Sequence, residues 1–308
     1  PPQIIFCEDE CERLPREMPA TAWAHGAGQA AVKQQPQAAA YARQAWRAWD
    51  ATRSDALPPW SDELLAWHVR AALRQPEAEA SRWTLMTRAI DAMSAAGRSD
   101  STWIYWRARA VQARAEPGPQ GDTARAEAAA ALRSIAPELS FYGKLATEDL
   151  GGRVELPPAP RPLTDDDRRA ARSHPGLARG LQLIGLGLRS EGVREWNFSL
   201  RGMAERDLLA AAQWACEREV WDRCINTSDR TRDEVDLAQR FPTPLREQVL
   251  AQARQTGIDP AVMYGLIRQE SRFITDARSH VGASGLMQIM PGTAKWIARR
   301  MGERDFSL

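Results

Sequence analysis

Gly257-Ile258-Asp259-Pro260-Ala261-Val262-Met263-Tyr264-Gly265-Leu266-Ile267-Arg268-Gln269-Glu270-Ser271-Arg272-Phe273 reads as one helix that closes on a carboxylate. Asp259 suits the N-cap and Pro260 the first helical position. Val262, Leu266 and Glu270 are four residues apart, with Met263 and Ile267 alongside, and residues at i and i+4 share a helix face. Glu270 therefore stands where an apolar stripe asks for leucine. Apolar neighbours penalise the charged form, and so does the negative end of the helix dipole. The pattern thus predicts a carboxyl group that keeps its proton near neutral pH and can donate it. Arg268 and Arg272 lie two residues away and project elsewhere on the helix, so they are poor local partners. The plainer alternative is a structural ion pair with a distant arginine.

Outward from this helix the punctuation is clear. Upstream, Leu245 to Thr256 reads as a helix stopped by Gly257. Downstream, a polar turn leads to Gly282-Ala283-Ser284-Gly285, where glycine permits tight backbone and close approach of a ligand. Leu286-Met287-Gln288-Ile289-Met290 follows and is stopped by Pro291-Gly292. A second amphipathic helix is expected from about Thr293 to Gly302, the latter a C′ residue.

Gln269-Glu270-Ser271, followed by Gly282-Ala283-Ser284-Gly285-Leu286-Met287-Gln288-Ile289-Met290-Pro291-Gly292-Thr293-Ala294, resembles the signature of the soluble lytic transglycosylases of bacterial cell walls. The resemblance implies a goose-type lysozyme-like α-domain with Glu270 as its sole catalytic acid/base. It also implies that Ser279, Gln288 and Met290 line the glycan site, with Gly285 in the glycine turn beside them. Ordinary glycosidases place two carboxylates about the scissile bond. Here the motif supplies one, and Asp276 lies beyond the helix end. The implied reaction cleaves the β-1,4 bond between N-acetylmuramic acid and N-acetylglucosamine and leaves a 1,6-anhydromuramyl end. The substrate's own N-acetyl carbonyl stabilises the developing charge, and no metal, nucleotide or other cofactor is required. The implied partner is peptidoglycan, and the implied location is the periplasm. The family's catalytic domain runs on to an Ala-Tyr-Asn-type motif that nothing in this sequence matches. Residues 242–308 are therefore expected to be the N-terminal part of that domain, too short to bury a good core unaided.

The 308 residues suffice for two or three domains. Hydrophobic residues make up 44% and charged residues 26%, ordinary for a globular protein, and the formal net charge of +1 leaves no footprint for nucleic acid. From Pro242 onward basic residues outnumber acidic ones, nine to six, which suits an anionic polymer but equally a random surface. No apolar run is long enough to span a membrane. The chain starts at Pro1 without a recognisable signal peptide and reads as processed or trimmed. The cysteines form two close pairs, Cys7/Cys11 and Cys216/Cys224, which predicts disulfides and an oxidising compartment. Zinc at Cys7, Cys11 and His25 fits no standard ligand spacing. Eight residues of continuous helix would hold Cys216 and Cys224 about 12 Å apart, so a turn near Glu217-Arg218-Glu219 must fold the pair into a helix hairpin.

The rest of the chain reads as all-α. Residues 1 to about 38 are expected to be irregular. Helices follow at about 38–53, 60–75, 77–96, 101–115, 120–135 and 138–150, in the manner of a solenoid of stacked pairs. Ser61 or Ser101 can cap helices there. Trp46, Trp49, Trp60, Trp67, Trp83, Trp103 and Trp106 are either core knobs or sugar-stacking platforms, and amphipathic helices favour core for most of them. Ser101-Thr102-Trp103-Ile104-Tyr105-Trp106-Arg107-Ala108-Arg109-Ala110 and Phe141-Tyr142-Gly143-Lys144-Leu145-Ala146 resemble the helical superhelix of the same family. Leu156-Pro157-Pro158-Ala159-Pro160-Arg161-Pro162 is a stiff extended linker. Further helices are expected at about 165–172, 175–190, 191–204, 206–217 and 219–226. The resulting division is a superhelix over 1–138, truncated at its N-terminus, a helical linker domain over 139–241, and the catalytic part over 242–308. Two other functions fit the same letters. A hydrolytic muramidase would let water attack instead of the sugar hydroxyl, and a helical-repeat wall-binding or scaffold protein would carry the motif without turnover.

Overall fold

The structure, a computed structural model, describes residues 17–76 and 79–303. The chain divides between Glu155 and Leu156 into two compact units. The described residues are helical and contain no strand beyond two isolated bridges. No described helix is long and apolar enough to cross a membrane.

The first unit carries α1 (Met18–Val32), α2 (Ala38–Ala51), α3 (Asp62–Leu73), α4 (Ala80–Asp91), α5 (Ala95–Arg98), α6 (Ser101–Arg114), α7 (Pro119–Ile135) and α8 (Phe141–Asp149). Packing is serial: α1 rests on α2 and α3, α3 on α4, α4 on α6, and α6 on α7 and α8. Helix pairs stacked in this way bury each apolar face against the next neighbour. Ser61 caps α3 by accepting from Leu64 N–H, and Ser140 caps α8 by accepting from Gly143 N–H. Asp100, rather than Ser101, caps α6.

Helix α1 corrects the expectation of an irregular N-terminal region as far as about residue 38. Its buried face is Ala20, Ala24, Ala27, Gly28, Ala30 and Ala31. Alanine is the best helix former, and side chains this small let α1 lie close against its neighbours. A face without leucine or isoleucine gives little periodic contrast in the letters, so the helix is stable yet hard to read.

The tryptophans separate into two groups. Trp46, Trp49 and Trp60 are core, with Trp46 and Trp60 edge-to-face at 4.8 Å. Trp67, Trp83, Trp103 and Trp106 are half-buried at its margin. A second apolar cluster of Tyr105, Ala108, Ala128, Leu132, Ile135 and Ala146 joins α6, α7 and α8. There Tyr105 donates to Asp149 at 2.9 Å and Trp106 Nε1 donates to Tyr142 at 3.2 Å. Residues 141–149 thus pack with the first unit.

The second unit carries α9 (Asp165–Ser173), α10 (Pro175–Gly185), α11 (Arg189–Ser199), α12 (Glu205–Glu217), α13 (Trp221–Ser228), α14 (Leu237–Arg240), α15 (Arg246–Thr256), α16 (Pro260–Ser271) and α17 (Pro291–Met301). The proline-rich segment before α9 has no regular structure. Arg206 holds it by donating to the carbonyls of Arg161 (2.7 Å) and Pro162, and it pairs with Asp167 at 2.9 Å. Thr164 and Asp167 form a capping box on α9. Cys216 and Cys224 are joined by a disulfide with their Cα atoms 5.0 Å apart. The hairpin expected from their spacing is present: α12 ends at Glu217, Glu219 turns through a left-handed φ of 56°, and α13 starts at Trp221. The expected Cys7–Cys11 pair lies outside the described residues.

Candidate active site

Three helices build the segment that contains Glu270. Helix α15 ends at Gly257, left-handed at φ 69°, and α16 starts at once, with Asp259 accepting from Ala261 N–H at 2.8 Å and Pro260 in the first turn. The core under α16 consists of Ile225, Val249, Ile267 and Phe273, flanked by Trp221, Met263, Tyr264, Leu286 and Met287. Ile225 and Trp221 come from α13. The segment from 242 onward therefore borrows apolar surface from α13 and shares a compact unit with it, which supplies the burial so short a stretch cannot provide alone.

That core fixes which side of α16 faces inward, and it is not the side expected from the Val262, Leu266, Glu270 stripe. Val262 is 63% and Leu266 45% exposed, and Glu270 is exposed with them. The buried side is Met263, Ile267 and Ser271, with Tyr264 beside it. Both readings satisfy the i, i+4 rule, and Phe273 decides between them by packing back onto Tyr264 with ring centroids 6.2 Å apart. The apolar shell that was to desolvate Glu270 is thus open to solvent among the described residues.

The helix end is held without using Glu270. Ser271 Oγ donates to the Ile267 carbonyl at 3.1 Å and accepts from Phe273 N–H at 3.1 Å. Arg272 and Phe273 then take left-handed φ values of 47° and 66° and turn the chain away. Arg268 reaches backward, with Nε donating to the Arg240 carbonyl at 2.7 Å and Nη2 pairing with Asp229 at 3.1 Å. Tyr264 donates to the carbonyls of Thr243 (3.3 Å) and Pro244 (3.1 Å), and burial pushes its hydroxyl above the usual phenol range. Arg268, Ser271 and Tyr264 are thereby committed elsewhere, and Arg272 makes no ion pair with the carboxylate. Among the described residues Glu270 has neither a side-chain hydrogen bond nor an ion pair.

The loop from Ala277 to Met290 brings together Ser279, Gly285 and Gln288. Ser279 Oγ accepts from Ala283 N–H at 2.9 Å, and Ser279 N–H donates to the Ala283 carbonyl at 2.8 Å. Ser284 and Ile289 exchange a pair of backbone bonds at 3.1 Å each. Gly285, at φ 78°, donates to the Ala277 carbonyl at 2.9 Å, in a left-handed turn that suits glycine. Gln288 is itself left-handed at φ 48° and spends its amide on the same fold, Nε2 donating to the carbonyls of Ala277 (3.0 Å) and Gly285 (2.8 Å). Gln288 Oε1 accepts no hydrogen bond, and the Ser279 O–H donates none, among the described residues. Met290 caps the start of α17 and is 42% exposed. No hydrogen bond joins Glu270 to this loop. The structuring role of the Gln288 amide had no signal in the sequence, where glutamine reads only as a polar side chain between apolar ones.

The Transglycosylase SLT domain family matches residues 247–307. The soluble lytic murein transglycosylase of Salmonella typhimurium is 25% identical over 271 residues, 85% of this chain and 40% of that protein. Its Escherichia coli K12 counterpart is 25% identical over 254 residues, 81% of this chain and 38% of that one. The chain thus spans about two fifths of the length of the curated relatives it matches. Among solved structures, an inactive glutamate-to-glutamine mutant of lytic transglycosylase Slt from Pseudomonas aeruginosa superposes with TM-score 0.69 and 26% identity, over 96% of this chain and 44% of that one. The 70-kDa soluble lytic transglycosylase of Escherichia coli, at TM-score 0.56 and 22% identity over 95% of this chain and 49% of that one, shares the all-α fold. Residues 247–307 thus match the Transglycosylase SLT domain, and the chain as a whole is similar in sequence and all-α fold to soluble lytic murein transglycosylases.

Proposed function

We propose that the protein is a peptidoglycan lytic transglycosylase of the cell envelope in which Glu270 is the single acid/base. The observation that carries this reading is the position of Glu270. It ends α16 inside the SLT match, its carboxylate is unpaired, and the neighbouring Arg268 and Ser271 are engaged elsewhere. A carboxylate kept free at the end of a rigid helix is available for proton transfer. In the proposed reaction Glu270 gives its proton to the glycosidic oxygen as the C1–O bond breaks. The substrate's N-acetyl carbonyl stabilises the cationic C1. The C6 hydroxyl then attacks C1 while its proton passes to Glu270, which closes the 1,6-anhydro ring and restores the acid without consuming water. Ser279, Gly285, Gln288 and Met290 form the proposed glycan-facing loop, and a periplasmic location follows from the substrate. Residues 1–138, 139–241 and 242–308 are proposed as superhelix, linker and catalytic segments.

The mutant Pseudomonas aeruginosa relative, inactive with glutamine in place of a glutamate, supports a role for one carboxylate in this family. Glycan binding without turnover is the second reading, and the exposure of Glu270 favours it, because an acid working near neutral pH gains from desolvation. Mass spectrometry of peptidoglycan digested with the chain and with Glu270→Gln decides. Anhydro ends, lighter by one water than hydrolysed ends, are expected from the unsubstituted chain and lost in the variant. Hydrolysed ends would identify a muramidase, and no new ends a binding protein.

A further inference from the structure

A cleft of about 320 Å³ opens between α1 and α3 in the first unit, within the range of small-ligand sites. Trp67 walls it, half-buried, together with Val32 and Leu64. Gly28 forms part of the floor, where an added Cβ would lie 2.7 Å from Leu64 Cδ1, so the glycine sets the close approach of the two helices. His25, Gln29 and Lys33 edge the cleft from α1 and its C-cap, and Glu63 edges it from α3. None of these four has a side-chain hydrogen bond or ion pair among the described residues. Arg70, one turn beyond Trp67, lies 4.7 Å over its ring and 5.6 Å from the Trp103 ring, and it too has no carboxylate partner among the described residues.

Elsewhere in the first unit several arginines pair with carboxylates. Arg88 pairs with Asp50, Arg107 with Asp91 at 2.6 Å, and Arg109 with Asp149 at 2.7 Å. The cleft is different, combining an indole wall, an uncommitted amide, one free carboxylate and the unpaired ammonium of Lys33. Aromatic surface next to side-chain amides and carboxylates suits a sugar ring, which offers C–H faces and hydroxyls together. Lys33 at the rim adds a preference for negative charge. We propose that this cleft is a non-catalytic binding site for an N-acylated, carboxylate-bearing saccharide. It contains none of the residues assigned to bond cleavage. Its identification with wall glycan rests on the function proposed above, whereas the cleft and its chemistry do not.

The test is calorimetric titration of the whole chain carrying Glu270→Gln, so that the probe survives. Two probes are used: a purified N-acetylglucosaminyl-N-acetylmuramyl peptide, which carries carboxylates, and chitotetraose, which is N-acetylated and neutral. The expected result is saturable binding of the muropeptide with chitotetraose about tenfold weaker, and at least about a tenfold rise in Kd in Trp67→Ala and in the double variant Gln29→Ala/Lys33→Ala. The double variant changes exposed side chains only, so it decides the matter if Trp67→Ala does not fold. Unchanged affinity in the folded double variant overturns the site, as does binding that weakens with Gln288→Ala instead. Equal affinity for the two probes overturns the anionic ligand class. The companion digest by the chain with Glu270 intact separates the two proposals: cleft-dependent binding without anhydro ends removes the catalytic reading alone, and anhydro ends with no cleft-dependent binding removes this one alone.

Discussion

Arg268 pairs with Asp229 at 3.1 Å while its Nε donates to the Arg240 carbonyl at 2.7 Å and its guanidinium lies 4.6 Å over the Phe241 ring. One side chain thus ties α16 to the end of α13 and to α14. It is largely buried, so the pair is screened less than a surface ion pair.

Arg268→Ala is therefore expected to cost about 1–3 kcal/mol, the usual worth of hydrogen bonds to charged groups plus the unpaired carboxylate left behind. Arg268→Lys should recover only part, because an ammonium cannot serve the carbonyl and the carboxylate in one planar fork. Urea unfolding of the second unit, followed by its tryptophans, measures both. Equal stability in all three proteins would show that α16 is held by its apolar face alone.

A second prediction separates the tryptophans. Trp60 is buried against Trp46 and His68, with ring centroids at 4.8 and 5.5 Å. Trp60→Ala should destabilise the first unit by roughly 3–5 kcal/mol, the range for large aromatic truncations in a core. Trp83→Ala, at a half-buried margin position, should cost clearly less. Thermal unfolding of both variants checks the order, and a reversed order would mean that burial misjudges which indole carries the packing.

Much of this architecture was legible in the letters, for identifiable reasons. Helix boundaries marked by Gly257, Asp259-Pro260 and Gly302 were readable because caps and breakers act locally. The Cys216–Cys224 hairpin was readable because disulfide geometry excludes a continuous helix. Helix α1 escaped because alanine carries helix propensity without apolar contrast. The facing of α16 escaped because its sequence offers two adjacent apolar stripes, and only tertiary partners such as Ile225 and Phe273 choose between them. Glu270 was singled out by its place in a motif, while the desolvation expected for it depended on the stripe that turned outward.

His68 makes a pH prediction with a defined sign. It is fully buried, its Nε2 lies 3.1 Å from the Ala24 carbonyl, and burial lowers its pKa to about 4. In the unfolded chain the ordinary value is 6.5. Between these values the unfolded state binds a proton that the folded state refuses, so stability falls as pH drops through that window and levels off below it. The full loss is on the order of 3 kcal/mol, from the energy of a pKa shift of this size. His68→Phe, which removes the titration and keeps an aromatic ring beside Trp60, should flatten that slope. Melting temperatures at pH 7 and pH 5 test it, and the same fall in both proteins would place the pH dependence elsewhere.

The last prediction concerns Gln288. Its side-chain amide donates to the carbonyls of Ala277 and Gly285, and its backbone adopts the left-handed conformation, φ 48°. Two changes at this position therefore have opposite backbone effects. Gln288→Ala removes both amide bonds and keeps the left-handed penalty, whereas Gln288→Gly removes the same bonds and relieves that penalty. Each lost bond is worth about 0.5–1.5 kcal/mol within the loop. The loop packs on the margin of the core through Leu286 and Met287, so global stability should move less than that sum. If the loop holds the glycan against Glu270, anhydro-product release should drop by about 10²-fold in both variants, since misplacement by about 1 Å has that effect on a positioned reaction. Gln288→Glu keeps the length and an acceptor but cannot donate in its ionised form, so it should resemble Gln288→Ala in rate. Release at the unsubstituted rate from a folded Gln288→Ala chain would confine Gln288 to a structural part and leave substrate positioning to other residues.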